Sequence, residues 1–371
     1  MFSPIDRRTW LKKAAAFSLA TVASVPISAQ EAPKNDCPDC GGLGFLPLKN
    51  RRPYFHVEGQ PAPKAADAVP HRFCPKCQAN RNQQELVDEQ TARLKTARDS
   101  HQKWEKETNL QLTRVETRHV VVHTQMPSPE CVKMAQGFEN LVGHLQNLTG
   151  SMELTCTRPE SYEQMCFVGS EPYEHFRSVM EKLYSLEERG PSWSVGRGLV
   201  AFDHTLMAFF YETPQTMKLR PPVHGVCFMG GRKQLNVATN YRAPRWLSEG
   251  FAEYCEFAAL KKNLWRSVYN QNEGPKPGDW VSQLRELFAA NRLRPWVEQT
   301  IRQLEDWDAR DYLQSFGMVA FLLQTEPKKF LRCTRQLKAG VVAEKALEEA
   351  YETSIAKLDT EFGRWLQAGG R

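Results

Sequence analysis

Two cysteine pairs, Cys37-Pro38-Asp39-Cys40 and Cys74-Pro75-Lys76-Cys77, constrain the fold of this 371-residue chain more than any other feature. Each Cys-x-x-Cys spacing sets two sulfurs on one side of a tight turn, and four such sulfurs satisfy an ion that prefers tetrahedral thiolates. If the pairs meet, the 33 residues between Cys40 and Cys74 must close a loop, whatever the rest of the chain does. Within that loop Pro53, Pro61, Pro63 and Pro70 interrupt regular structure, so residues 50–71 read as irregular. The expected cofactor is a structural zinc ion on Cys37, Cys40, Cys74 and Cys77. In an oxidising compartment the same residues also admit disulfides or a redox-active pair.

The first pair runs on through Gly41, Gly42 and Gly44, so the stretch reads Cys-x-x-Cys-x-Gly-x-Gly. It resembles one repeat of the zinc finger in J-domain co-chaperones, where glycines leave backbone amides free to turn toward sulfur. The second pair lacks those glycines and resembles a rubredoxin-type knuckle. A thioredoxin-like pair should follow a strand and open a helix, and the surroundings of Cys37 offer neither. The other cysteines, at 131, 156, 166, 227, 255 and 333, show no ligand spacing and read as buried thiols. A Cys156–Cys166 disulfide stays open at this level.

Asp6-Arg7-Arg8-Thr9-Trp10-Leu11-Lys12 resembles a twin-arginine export signal. The apolar run Ala14 to Val25 is too short for a permanent membrane helix, and Ile27-Ser28-Ala29 offers a small-residue cleavage site. No cysteine lies near that site, so no lipid anchor is expected there. The resemblance implies a periplasmic or secreted protein, exported folded and therefore able to take up its metal first. Four basic residues and one acidic residue of residues 1–29 account for three of the chain's six net positive charges. The remaining charge of about +3 argues against a nucleic-acid partner. No second apolar segment reaches membrane-spanning length.

Pro244-Arg245-Trp246-Leu247-Ser248-Glu249-Gly250-Phe251-Ala252-Glu253-Tyr254 resembles the third-ligand helix of gluzincin metallopeptidases, in particular the peptidase-MA-like proteins. In that family a His-Glu-x-x-His helix lies upstream, with two histidines on one face holding zinc and the glutamate activating its water. The corresponding segment here is His224-Gly225-Val226-Cys227-Phe228, with 21 residues from Phe228 to Glu249. Gly225 stands where the general base would be, and Phe228 where the second histidine would be; neither has the needed donor atom. One alternative ligand set remains: His224 and Cys227 at i and i+3, with Glu249 or Glu253 as a third ligand.

The resemblance extends from a strand over 117–124 and a helix over 129–148 to a helix from Asp311 and the closing helices around Ala346 to Leu366. Further strands are expected at 164–169 and 198–211, the latter divided around Asp203-His204. Pro221-Pro222 should start a short helix that Gly230-Gly231 ends. The fold class is α+β. The expected organisation is a signal over 1–29, a four-cysteine zinc module over 30–80, a helical connector over 81–115 and a gluzincin-like domain over 116–371. Val87, Leu94, Ala97 and Trp104 give the connector an apolar stripe. His119, His123, His175 and His204 read as surface or hydrogen-bonded histidines, and Tyr312 as a core residue.

These residues imply an exported pseudopeptidase with a structural zinc ion, binding peptide or protein without hydrolysis. Catalytic zinc is doubtful. Two alternatives remain: an atypical zinc hydrolase using His224, Cys227 and Glu249, and a chaperone-like accessory protein that binds through its zinc module.

Overall fold

A run of β-branched residues between two long helices, Val120-Val121-Val122, sets the centre of the molecule. The computed structural model describes residues 37–371 apart from 38, 41–42, 49–53, 62, 156–162, 184–193, 196–197, 201–205, 212–220, 266–274, 278, 303–305 and 371. The export signal expected over 1–29, Cys156 and His204 lie outside the described residues.

The chain opens with strand β1 (Phe45–Pro47), strand β2 (His56–Val57), one turn of helix α1 (Ala65–Ala68) and strand β3 (His71–Phe73). β1 and β3 pair antiparallel, with Phe45 opposite Phe73. Helix α2 (Gln83–Thr108) begins at a capping box in which Asn82 and Glu85 bond each other's backbone amides, and it stops where Asn109 turns left-handed at φ 54°. Its buried stripe is Leu86, Gln90, Leu94, Ala97, His101, Trp104 and Thr108, one residue in every three or four.

Strands β4 (Thr113–Glu116) and β5 (Val120–Thr124), helix α3 (Ser128–Thr149), strand β6 (Glu163–Gly169) and helix α4 (Ser170–Leu183) follow. Strands β7 (Ser194–Val195), β8 (Gly198–Val200) and β9 (Leu206–Tyr211) complete a sheet in the order β2-β4-β5-β6-β9-β8-β7. Its centre, β5-β6-β9, is parallel and its flanks are antiparallel. Every residue of β5 is buried, as a central strand covered on both faces requires. Alternation divides them: Val121 meets Leu94 and Ala97 of α2, whereas Val120 and Val122 meet Met134, Ala135 and Phe138 of α3.

The rest is helical: α5 (Pro222–Ala238), α6 (Arg245–Leu260), α7 (Trp280–Ala289), α8 (Trp296–Ile301), α9 (Ala309–Thr325), α10 (Pro327–Lys338), α11 (Ala343–Tyr351) and α12 (Ile355–Gln367). Trp280, Trp296, Phe251, Phe316 and Phe362 fill one continuous core among them. Tyr312 belongs to it, edge-on to Trp307 at 5.1 Å. Among the described residues no helix is long and apolar enough to cross a membrane.

The α+β class stands. The expected strand over 198–211 is two antiparallel strands, with Leu199 opposite Ala208. The expected short helix at His224 needs correction: α5 runs straight through Gly230-Gly231 for 17 residues. These glycines are points of close approach rather than terminators. A Cβ on Gly230 would lie 2.6 Å from the Phe138 ring of α3, and one on Gly231 would lie 2.4 Å from Cβ of Cys255 on α6. Helix propensity yields here to packing.

The segment between the cysteine pairs enters both sheets. β2 pairs with β4, setting His56 opposite Glu116 and Val57 opposite Val115. Glu116 is fully buried; it accepts from Nε and Nη2 of Arg98 at 2.7 Å, meets His56 Nδ1 at 3.0 Å, and is ion-paired with Arg114 Nε at 3.1 Å. Burial alone would raise its pKa, but the bonds from Arg98 and His56 outweigh burial and hold the carboxyl below the usual range.

Candidate metal centre

The β1–β3 register decides whether the two cysteine pairs meet. Pairing Phe45 with Phe73 places the turn after Cys40 beside the turn that opens at Cys74, and Cys74 N donates to Gly44 O at 2.8 Å. The sulfurs of Cys37 and Cys74 then stand 3.7 Å apart and those of Cys40 and Cys77 3.5 Å apart. All four lie within 4.8 Å of one another. A tetrahedral zinc with bonds of about 2.3 Å has sulfur–sulfur edges of about 3.8 Å, whereas a disulfide needs about 2.05 Å. The arrangement fits a metal rather than a pair of disulfides.

The backbone is turned to serve the sulfurs. Gly44 adopts φ +77°, where a side chain would be strained and would also strike Gln78 at 2.9 Å, and its N–H donates to Cys40 Sγ at 3.3 Å. Such amide–sulfur bonds orient thiolate ligands. The Cys77 thiol, followed by the amides of Cys40 and Asp39, pulls the Cys37 pKa down to about 6. Burial raises Cys40, and the bond to Cys37 raises Cys77. A divalent cation would draw protons from all four sulfurs. Cys37, Cys40, Cys74 and Cys77 would hold zinc in a closed, structural set with no position open to substrate.

The helix pair α5–α6 carries the other sequence candidates. His224 and Cys227 lie on α5, and Glu249 and Glu253 on α6, all buried. The structure does not gather them around one point. His224 Nδ1 bonds Glu256 Oε1 at 2.7 Å, and burial followed by the charge of Lys262 brings its pKa down to about 4. Glu249 Oε1 is held by Arg245 Nη2 at 3.0 Å and Arg232 Nη2 at 3.3 Å, so two guanidiniums stand against the carboxylate. Asn263 Nδ2 donates to Glu253 Oε2 at 3.2 Å. Cys227 is enclosed and burial raises its pKa well above the ordinary value, which leaves an inert thiol. Among the described residues, the four N-terminal cysteines are the one group of three or more ligand-type side chains that could share an ion.

Three residues that sequence reasoning did not single out shape this helix pair. Glu256, seven residues past Glu249 and on the same helix face, accepts from the amides of Leu264 at 2.6 Å and Trp265 at 2.8 Å as well as from His224. These bonds set the indole of Trp265 directly over Gly225, where an added Cβ would lie 2.3 Å from the ring. The same indole stacks on Phe228 at 6.4 Å between ring centroids. Gly225 and Phe228, the two departures from the metal-binding pattern, are thus the residues Trp265 covers. The spacing of Glu256 from Glu249 was readable as a helical face; the contact of Gly225 with Trp265, forty residues on, was not.

His119 bonds Glu139 at 2.9 Å, His175 is exposed, and His123 is buried against His101. The fold and the cysteine cluster define an α+β protein with four cysteines gathered at a spacing that fits a metal ion. No family model and no curated protein matches the chain.

Proposed function

We propose that this chain is an exported, zinc-stabilised pseudopeptidase of the peptidase-MA-like type, binding peptide or protein without cleaving it. The observation that carries this reading is the indole of Trp265 lying against Gly225 and Phe228. A general base in place of Gly225 would need the volume that the ring occupies, and Phe228, on which the same ring stacks, has no donor atom for a metal. The pairing of Glu249 with Arg232 and Arg245 supports the same reading, because these cations already balance the carboxylate that would serve as third ligand. In this reading zinc belongs to Cys37, Cys40, Cys74 and Cys77 and contributes folding free energy rather than Lewis acidity.

Metal content and peptide turnover test it together. Purified full-length protein should carry one zinc per chain, lost in Cys37→Ser/Cys74→Ser and retained in His224→Ala. A fluorescein-labelled pool of casein peptides should bind, by anisotropy, and remain intact by mass spectrometry. A second zinc that disappears with His224→Ala, or peptide cleavage that the same substitution abolishes, would overturn the proposal in favour of a hydrolase.

A further inference from the structure

Between α2 and the centre of the sheet lies a line of polar side chains that the reading above does not use. His101 of α2 and His123 of β5 are both fully buried, and their Nδ1 atoms face each other at 2.9 Å. Beyond His123, its Nε2 meets Gln164 Oε1 of β6 at 3.2 Å. Beyond His101, its Nε2 lies 3.1 Å from Glu58, in the turn after β2, and 3.6 Å from Glu105 of α2. Arg114 of β4 pairs with Glu58 at 3.2 Å, and Trp104 closes the line with its edge on His123 at 4.7 Å.

Proton counting along this line has a definite result. A bond between two Nδ1 atoms holds one proton, because two N–H groups repel and two lone pairs cannot bond. With the Gln164 oxygen toward His123, Nε2 of that ring must carry a proton, so its Nδ1 is the acceptor and His101 is the donor. His101 Nε2 then faces two carboxylates and needs a proton as well, making one imidazolium. If the Gln164 amide turns over, its NH2 donates to His123, His123 donates to His101, and the remaining N–H of His101 faces the Glu58 carboxylate. Both rings are then neutral, with one proton fewer. The heavy-atom contacts are the same in both states.

We propose that Glu58, His101, His123 and Gln164 form a one-proton switch at the junction of α2 with the sheet, with the Gln164 amide turning over as the proton enters or leaves. Glu58 and Glu105 favour the charged state, and Arg114 and burial oppose it. Burial dominates, lowering His101 and bringing His123 well below the ordinary histidine value. Both folded-state values lie below the unfolded one, so each ring contributes stability that is full above pH of about 6.5 and is lost as the solution is acidified toward the folded-state values. A protein exported from the cytoplasm, as proposed above, meets such acidification directly; the switch itself does not depend on the pseudopeptidase reading.

Ring 15N–1H correlation spectra of the zinc-loaded full chain, recorded between pH 4 and 8, test it. His101 and His123 should respond together in one step. Gln164→Glu, which keeps an acceptor beside His123 Nε2 permanently, should move that step up by at least about one pH unit. Glu58→Gln, at a half-exposed position that tolerates exchange, should move it down. Two separate steps, or a step unmoved by both substitutions, would overturn the switch. The wild-type spectra alone decide the first point should a variant fail to fold.

Discussion

At position 225 the missing side chain is a packing requirement. An alanine there would drive its Cβ into the Trp265 indole, so Gly225→Ala should destabilise the protein by roughly 1–3 kcal/mol in urea titration. Trp265→Ala alone should also destabilise, by leaving Phe228 partly uncovered. The double substitution should cost clearly less than the sum of the two, because the clash disappears with the ring. Strict additivity would show that the indole does not rest on Gly225. The sequence exposed Gly225 and Phe228 as departures from a metal-binding pattern, since those positions lack donor atoms. It did not reveal their common partner, because Trp265 lies in a turn whose path is set by Glu256 and not by local propensity. His101 was hidden for a related reason: within the stripe of α2 it occupies an apolar position, and only tertiary structure brings His123 against it.

Among the elements, those with period and caps were legible and those governed by close approach were not. α2 and α9 followed from their apolar periodicity, and β5 and β6 from their β-branched and apolar runs. α5 was misjudged at its glycine pair, since glycine ends a helix in isolation but serves as a contact point when neighbouring helices press on both sides. The start of α9 gives an element-scale prediction. Asp308 caps it, accepting from the amides of Arg310 and Asp311, and Asp311 bonds back to the Asp308 amide. Burial opposes ionisation of Asp308, but the guanidinium and amide of Arg310 outweigh it and hold the carboxyl down to about 2. Asp308→Ala should cost about 1 kcal/mol at neutral pH. Because the folded pKa lies below the ordinary 3.8, that contribution is present above pH 3.8 and is lost as pH falls toward 2. Wild type and variant should therefore converge in stability across that interval in pH-dependent urea denaturation.

For the whole molecule, the four cysteines announced a closed loop in the sequence, and the structure ties that loop to the rest through β2 and the buried carboxylate of Glu116. The division drawn at residue 80 treats the cysteine segment as a separate module; the hydrogen bonds of β2 with β4 cross that line. In the zinc-loaded form proposed above, removing the metal would release a loop of about 33 residues, whose closure is worth roughly 3–4 kcal/mol by loop-entropy reasoning. Chelation should then lower the melting temperature by roughly 4–6 °C, because the unfolding entropy of about 2.1 cal/mol/K per residue is spread over the whole chain. Calorimetry should show the cysteine segment and the sheet melting in one transition, whereas two well-separated transitions would show them to be independent. The outer edge of β4 is covered by His56 and Val57 of β2, with the Glu58 amide adding a bond to Arg114 O. Once the loop slackens, a line of unpaired backbone amides and carbonyls is offered to any neighbouring chain, the circumstance in which strands add edge to edge. On that reading the cysteine centre would also guard against association: metal-depleted protein should scatter light and grow in size at concentrations where the loaded form stays dispersed.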